Sequence, residues 1–177
     1  MDAQKFAKEL IQLAPPAEKL AEKGISPESI ERAQKSYLCI EKKGLDRQDD
    51  PVLDLITRYD LSSVEIGMVR FTDTPIVQDG SMCIGEFEVD PILMDITSGE
   101  IYVVDLAARN HIMWWCAKNG ESFLDALIIA ERHLSRCGYD YTFAGDQAAA
   151  FEVASNCAEA AGGRKYLDFY KVLVACF

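Results

Sequence analysis

The amino-acid sequence predicts an α+β fold: an antiparallel sheet of about four or more strands, flanked by N-terminal and C-terminal helices. Three observations carry that prediction. A hairpin signal surrounds Ser98-Gly99, strand-like runs precede it, and apolar residues recur at helical spacing on both sides of this block. At 177 residues, one domain is the simplest partition. Its core is expected at about 50–135, with N-terminal helices over 1–45 and a C-terminal helical extension over 146–177.

The hairpin follows from counting. Gly99 supplies a backbone conformation that most residues resist, so a two-residue turn is expected at Ser98-Gly99. Pairing outward sets Thr97 opposite Glu100, Ile96 opposite Ile101, Asp95 opposite Tyr102 and Met94 opposite Val103. Side chains alternate faces along a strand, so Ile92, Met94, Ile96, Ile101 and Val103 form a buried face. Asp95, Thr97, Glu100 and Tyr102 form the partly solvated one.

Upstream, residues 82–89 alternate as another strand, with Glu86 and Glu88 on one face and Cys83, Phe87 and Val89 on the other. Residues 64–71 are β-branched and apolar enough for a further strand, separated from it by a polar connection holding Asp73, Pro75, Asp79 and Gly80. Strands consecutive in sequence imply an antiparallel meander.

Before the sheet, Ala3, Phe6, Leu10 and Leu13 recur at helical spacing until Pro15-Pro16. Ser26-Pro27-Glu28 places a cap, a first-turn proline and a dipole-complementing acid before Ile30, Ala33 and Tyr37. Asp50-Pro51 repeats that signal before Val52, Leu55, Ile56 and Tyr59. After the sheet, Asn119-Gly120 announces a helix over 121–134 with Phe123, Leu127, Ala130 and Leu134 on one stripe and Leu124 and Ile128 beside it. An Ala-rich helix is expected over 146–161, ending at Gly162-Gly163, and Tyr166, Phe169, Tyr170 and Leu173 favour helix in the tail.

Composition narrows the function. A formal charge of −11 opposes direct nucleic-acid binding, which needs clustered Lys and Arg. The same charge suits solubility and would steer a basic protein partner. Six cysteines lie at 39, 83, 116, 137, 157 and 176 without a Cys-x-x-Cys pair, which points to reduced, packed thiols in a cytoplasmic protein and to no metal or other cofactor. Residues 1–13 are charged and amphipathic, unlike a signal peptide, and no apolar run approaches the ~20 residues of a membrane helix.

No phosphate loop, nucleophile elbow or metal-binding helix motif occurs, so no catalytic residue is assigned. The histidines are His111, in a polar connection, and His133, beside the apolar stripe of a helix. An enzyme using Cys116 or Cys137 with His111 or His133 would require a thiol of depressed pKa. Glu86, Glu88 and Asp90 share a parity, which one solvated sheet face already explains. With Asp73 and Asp79 they are the candidates for meeting a basic partner. Trp114 and Trp115 are adjacent and cannot point the same way, so one ring is expected in the core. The other either packs elsewhere or stands as a partly exposed interface anchor.

The run 84–106, followed by 117–130, resembles the core of the SUKH superfamily, which includes bacterial immunity proteins and the fungal Smi/Knr cell-wall regulators. The residues that carry it are Ile84-Gly85, Asp95, Gly99-Glu100 and Ser122-Phe123-Leu124. The resemblance covers about 50–135, and residues 146–177 extend beyond it. It implies a non-enzymatic, protein-binding α+β domain, and for a bacterial member an immunity protein that neutralises a cognate toxin, commonly a nuclease. The acidic balance agrees with a basic toxin surface. On that reading Asp73, Asp79, Glu86, Glu88 and Asp90 steer the partner and Trp114 or Trp115 anchors it. The alternative is an intracellular regulatory scaffold or adaptor of the same fold.

Overall fold

Local sequence sets several helix starts in the computed structural model, which describes residues 1–108 and 111–175. Helix α1 (Ala3–Gln12) begins where the Asp2 carboxylate accepts from Lys5 N–H, and it buries Ala3, Phe6, Ala7 and Leu10. The prolines at 15 and 16 end that run, and a short helix α2 (Ala17–Glu22), not expected from spacing, follows them. Ser26 caps α3 (Pro27–Lys35) by accepting from Ser29 N–H. After β1 (Ile40–Glu41), Asp50 caps α4 (Pro51–Arg58) by accepting from Val52 and Leu53 N–H. The chain then forms β2 (Tyr59–Asp60), antiparallel to β1.

The main sheet is an antiparallel meander in chain order. Its strands are β3 (Glu65–Ile66), β4 (Val69–Gln78), β5 (Ser81–Phe87), β6 (Asp90–Asp95), β7 (Ile101–Val104) and β8 (Ile112–Ala117). Helices follow it: α5 (Gly120–Tyr139), α6 (Tyr141–Ala144), α7 (Gln147–Ala161), a 3₁₀ turn at Arg164–Tyr166, and α8 (Leu167–Leu173). The fold is therefore α+β with helices at both ends, as the sequence predicts. One cluster of buried apolar residues runs from Phe6 in α1 through Ile92, Ile101 and Val103 in the sheet to Phe123, Phe169 and Tyr170 in the later helices. No helix among the described residues is long and apolar enough to cross a membrane.

Four local expectations are corrected. In the central hairpin Met94 faces Ile101, Leu93 faces Tyr102 and Ile92 faces Val103, two residues from the expected register. Asp95 causes the shift. Its Oδ1 accepts from Thr97 N–H at 2.9 Å and Ser98 N–H at 2.7 Å, its carbonyl accepts from Gly99 N–H at 2.8 Å, and its own N–H reaches Glu100 O. Residues 96–99 therefore all belong to the connection, with Gly99 at φ 76°. An even shift keeps parity. Ile92, Met94, Ile101 and Val103 stay buried, while Ile96 is left exposed in the loop.

The run 64–71 is a tight hairpin rather than one strand, because Gly67 at φ 57° turns the chain between Ile66 and Val69. The expected polar connection is mostly strand: β4 continues through Asp73 and Pro75 to Gln78, and only Asp79-Gly80 form the turn, at φ 51° and 80°. Finally, the strand expected over 82–89 stops at Phe87. Glu88, at φ 56°, and Val89 make the turn into β6, and a bulge between Cys83 and Gly85 breaks the alternation. Ile84 and Phe87 enter the core, whereas Cys83 faces the other side.

Candidate interaction face

One side of the sheet carries the core; the other presents a row of side chains fixed by register. Cys83 pairs with Leu93, Leu93 with Tyr102, and Tyr102 with Trp115, so these residues share the outer face across β5, β6, β7 and β8. Ile76 and Gln78 of β4 join them through their partners Cys83 and Ser81. The sheet curls around this face and encloses a groove of about 450 Å³. Ile76 lines one flank, Ile112 belongs to the far strand, and Cys83, Leu93, Tyr102 and Val104 lie between them. Polar groups are few: the Ser81 and Tyr102 hydroxyls share a hydrogen bond at 2.7 Å, and Gln78 and Asp79 complete the lining at the β4–β5 turn. A mainly apolar concavity with a few convergent polar groups is the usual build of a binding site.

The expected acidic residues divide into groups. Glu86 lies 3.3 Å from the Arg70 guanidinium, which also donates to the Glu88 carbonyl at 2.9 Å. Asp90 Oδ1 accepts from Leu106 N–H at 2.9 Å and so fixes the loop after β7. These residues cluster at one end of β5, where Arg70 offsets part of their charge. Asp73 stands along β4, and Asp79 occupies the turn at the opposite end of β5. Among the described residues no cation lies within ion-pair distance of either.

The tryptophans separate onto opposite faces, as adjacent strand residues must. Trp114 packs edge-to-face on Phe87, with ring centroids 5.4 Å apart, on the core side. Trp115 lies 5.5 Å from the Tyr102 ring on the outer side, under the Lys165 ammonium at 3.6 Å from its centroid. That lysine also pairs with Glu100, which accepts from Tyr166 OH at 2.8 Å, so the C-terminal segment clips one margin of the outer face.

Against family models, curated proteins and solved structures alike, the chain matches nothing.

The thiol and imidazole candidates are also placed. Cys137 Sγ lies 3.5 Å from His133 Nε2, one helical turn apart in α5. Burial pushes this thiol's pKa up rather than down, and burial, aided by Arg136, lowers that of His133. The pair thus lacks an activated thiolate. Cys116 is fully buried, which pushes its thiol well above the ordinary range, and His111 is exposed in the loop before β8. Cys39, Cys83, Cys116, Cys137 and Cys157 are free thiols, and Cys176 lies outside the described residues.

Sequence reasoning missed the groove residues Ile76, Leu93, Val104 and Ile112. The available signal was an excess of apolar side chains: Leu93 and Val104 alternate with core residues at positions where a solvated face would carry polar ones.

Proposed function

We propose that this chain is a non-enzymatic protein-binding domain of the SUKH type, an immunity protein that neutralises a basic toxin domain. The observation that carries the reading is the concave, mainly apolar outer face of a sheet whose helices pack on the other side. Asp79 stands at that face without an ion-pair partner among the described residues. Apolar groups at the centre of an interface supply most of its affinity, whereas flanking charge sets association rate and salt dependence. The net charge of −11 favours a basic partner, such as a nuclease domain whose substrate surface must be positive.

Tagged wild type and Leu93→Arg are used to capture partners from the source cell's lysate at low and moderate salt. Retention of a basic, growth-inhibiting domain by wild type, lost with Leu93→Arg while the circular dichroism spectrum is unchanged, is the expected result. A resident regulator in its place supports the adaptor reading of the same fold. Equal retention by both proteins refutes the outer face as the interface.

A further inference from the structure

Strand β4 is only partly paired. β3 covers Val69 and Arg70, and from there to Gln78 no strand among the described residues lies on the side of β4 away from β5. The Asp79-Gly80 turn fixes which backbone groups that free edge offers. Its two left-handed residues make a two-residue hairpin, whose flanking pair Gln78/Ser81 is the hydrogen-bonded one. The next pair, Val77/Met82, is then non-hydrogen-bonded, so Val77 N–H and C=O point outward. Pro75, two residues earlier, lies in the irregular stretch between Phe71 and Ile76 and has no N–H to offer. Near the turn, Ile76 is 63 % exposed on the groove side and Val77 is 61 % exposed on the other. An edge with outward backbone groups and exposed apolar side chains is a template for an added strand.

The occupant is selected by charge. Asp73 lies within the free segment and Asp79 just past its end, and neither has a cation within ion-pair distance among the described residues. A second copy of this acidic chain would bring like charges together along the edge, which is destabilising. A basic segment would meet both carboxylates. Strand side chains alternate, so a segment beside β4 that turns apolar residues towards the groove carries every other residue away from it.

The geometry points to β-strand addition: an extended, basic peptide segment of the partner pairs with the outward backbone groups of Val77 and seats apolar side chains at the groove over Ile76 and Cys83. This rests on the protein-binding reading above and specifies the partner's recognition element. Affinity then comes from main-chain hydrogen bonds and alternate side-chain pockets.

The test uses the full chain and a synthetic decapeptide alternating lysine with leucine or valine, with a glutamate version as control. Cys83 is half-buried in the groove, so its alkylation by iodoacetamide, read by mass spectrometry, reports occupancy. The lysine peptide is expected to bind, to slow alkylation of Cys83 and to weaken with salt, and the glutamate peptide to do none of these. Val77→Pro, which removes an outward donor without touching the β4–β5 ladder, should weaken binding about tenfold. Ile76→Asp should reduce the protection of Cys83, and Val89→Asp, at the far end of the sheet, should leave binding unchanged. Binding without Cys83 protection, or binding indifferent to Val77→Pro, overturns strand addition, as does absence of binding. The lysate capture separates the two ideas: a partner lost with Leu93→Arg and retained with Val77→Pro leaves the outer-face interface standing and removes the added strand.

Discussion

Glu131 makes the stability of this protein depend on pH in a direction opposite to that of most carboxylates. The residue is 2 % exposed in the middle of α5. One oxygen accepts from the Tyr37 hydroxyl at 2.5 Å, and Oε2 has no partner among the described residues. Burial raises its pKa from 4.5 to about 7, partly offset by the Tyr37 hydrogen bond. A carboxyl whose folded pKa lies above its unfolded value takes up a proton on folding. Its contribution is therefore unimpaired below pH 4.5 and is lost progressively as pH rises towards 7. The shift corresponds to on the order of 3 kcal/mol between the ends of that window. His133 acts the other way: burial lowers its pKa from 6.5, so its contribution is lost as pH falls. The two slopes partly cancel in the wild type. Comparison with Glu131→Gln removes His133 from the difference. Urea midpoints at pH 5, 6, 7 and 8 should show the variant near wild type at the acid end and more stable by about 3 kcal/mol at pH 8, with equal m-values. Tyr37→Phe should move the window to higher pH, because the lost hydrogen bond favours the ionised form. A stability difference between wild type and Glu131→Gln that is constant from pH 5 to 8 would refute the reasoning.

Gly85→Ala should destabilise the sheet by about 2 kcal/mol or more, since the new Cβ would lie 2.2 Å from the Arg70 carbonyl oxygen on the neighbouring strand; urea unfolding measures it. Asp50→Ala should cost about 1 kcal/mol through lost capping of α4, and Gly120→Ala should act on the same cap, because its Cβ would lie 2.3 Å from Asp50 Oδ1. The double variant should then be less than additive, with a coupling of about 1 kcal/mol in a double-mutant cycle; strict additivity would separate the sites. Iodoacetamide at neutral pH should modify Cys83 well before Cys39 and Cys157, whose thiols burial pushes up to about 12, and before Cys116; mass spectrometry of the time course reads the order.

The starts of α3, α4, α5 and α7 were legible because they are local chemistry, whereas α2, which has no capping side chain, was not. Ser26, Asp50, Asn119 and Asp146 each accept a backbone N–H within the first turn of the helix they precede, and that signal lies in adjacent residues. Strand faces were legible to the extent that parity survives a change of turn. The central hairpin slipped by two residues, yet Ile92, Met94, Ile101 and Val103 remained inside. Turn chemistry was not legible from Gly99 alone. The Asp95 carboxylate satisfies Thr97 and Ser98 N–H, which makes the longer connection available. The bulge at Cys83–Gly85 has no local cue besides the glycine and reassigns a face, so Cys83 moved from expected core to the groove.

β4 shows how the same residues mislead a strand assignment and define a surface. Asp73 and Pro75 read as loop because charge and a missing N–H disfavour a strand paired on both sides. The β4–β5 register shifts between Phe71 and Ile76, and Asp73 and Pro75 fall inside that irregular stretch rather than in a ladder paired on both sides, so neither residue carries that penalty. On a free edge they discourage indiscriminate pairing: the proline withholds a donor and the aspartate repels a second copy. Val77 beside the turn keeps its outward donor and acceptor, and Ile76 next to it reaches the groove. The edge is thus blunted over most of its length and open at one place, where backbone groups, apolar surface and Asp79, without an ion-pair partner among the described residues, coincide. A selective docking edge needs that combination, and it arises here from the residues that make the segment look unlike a strand.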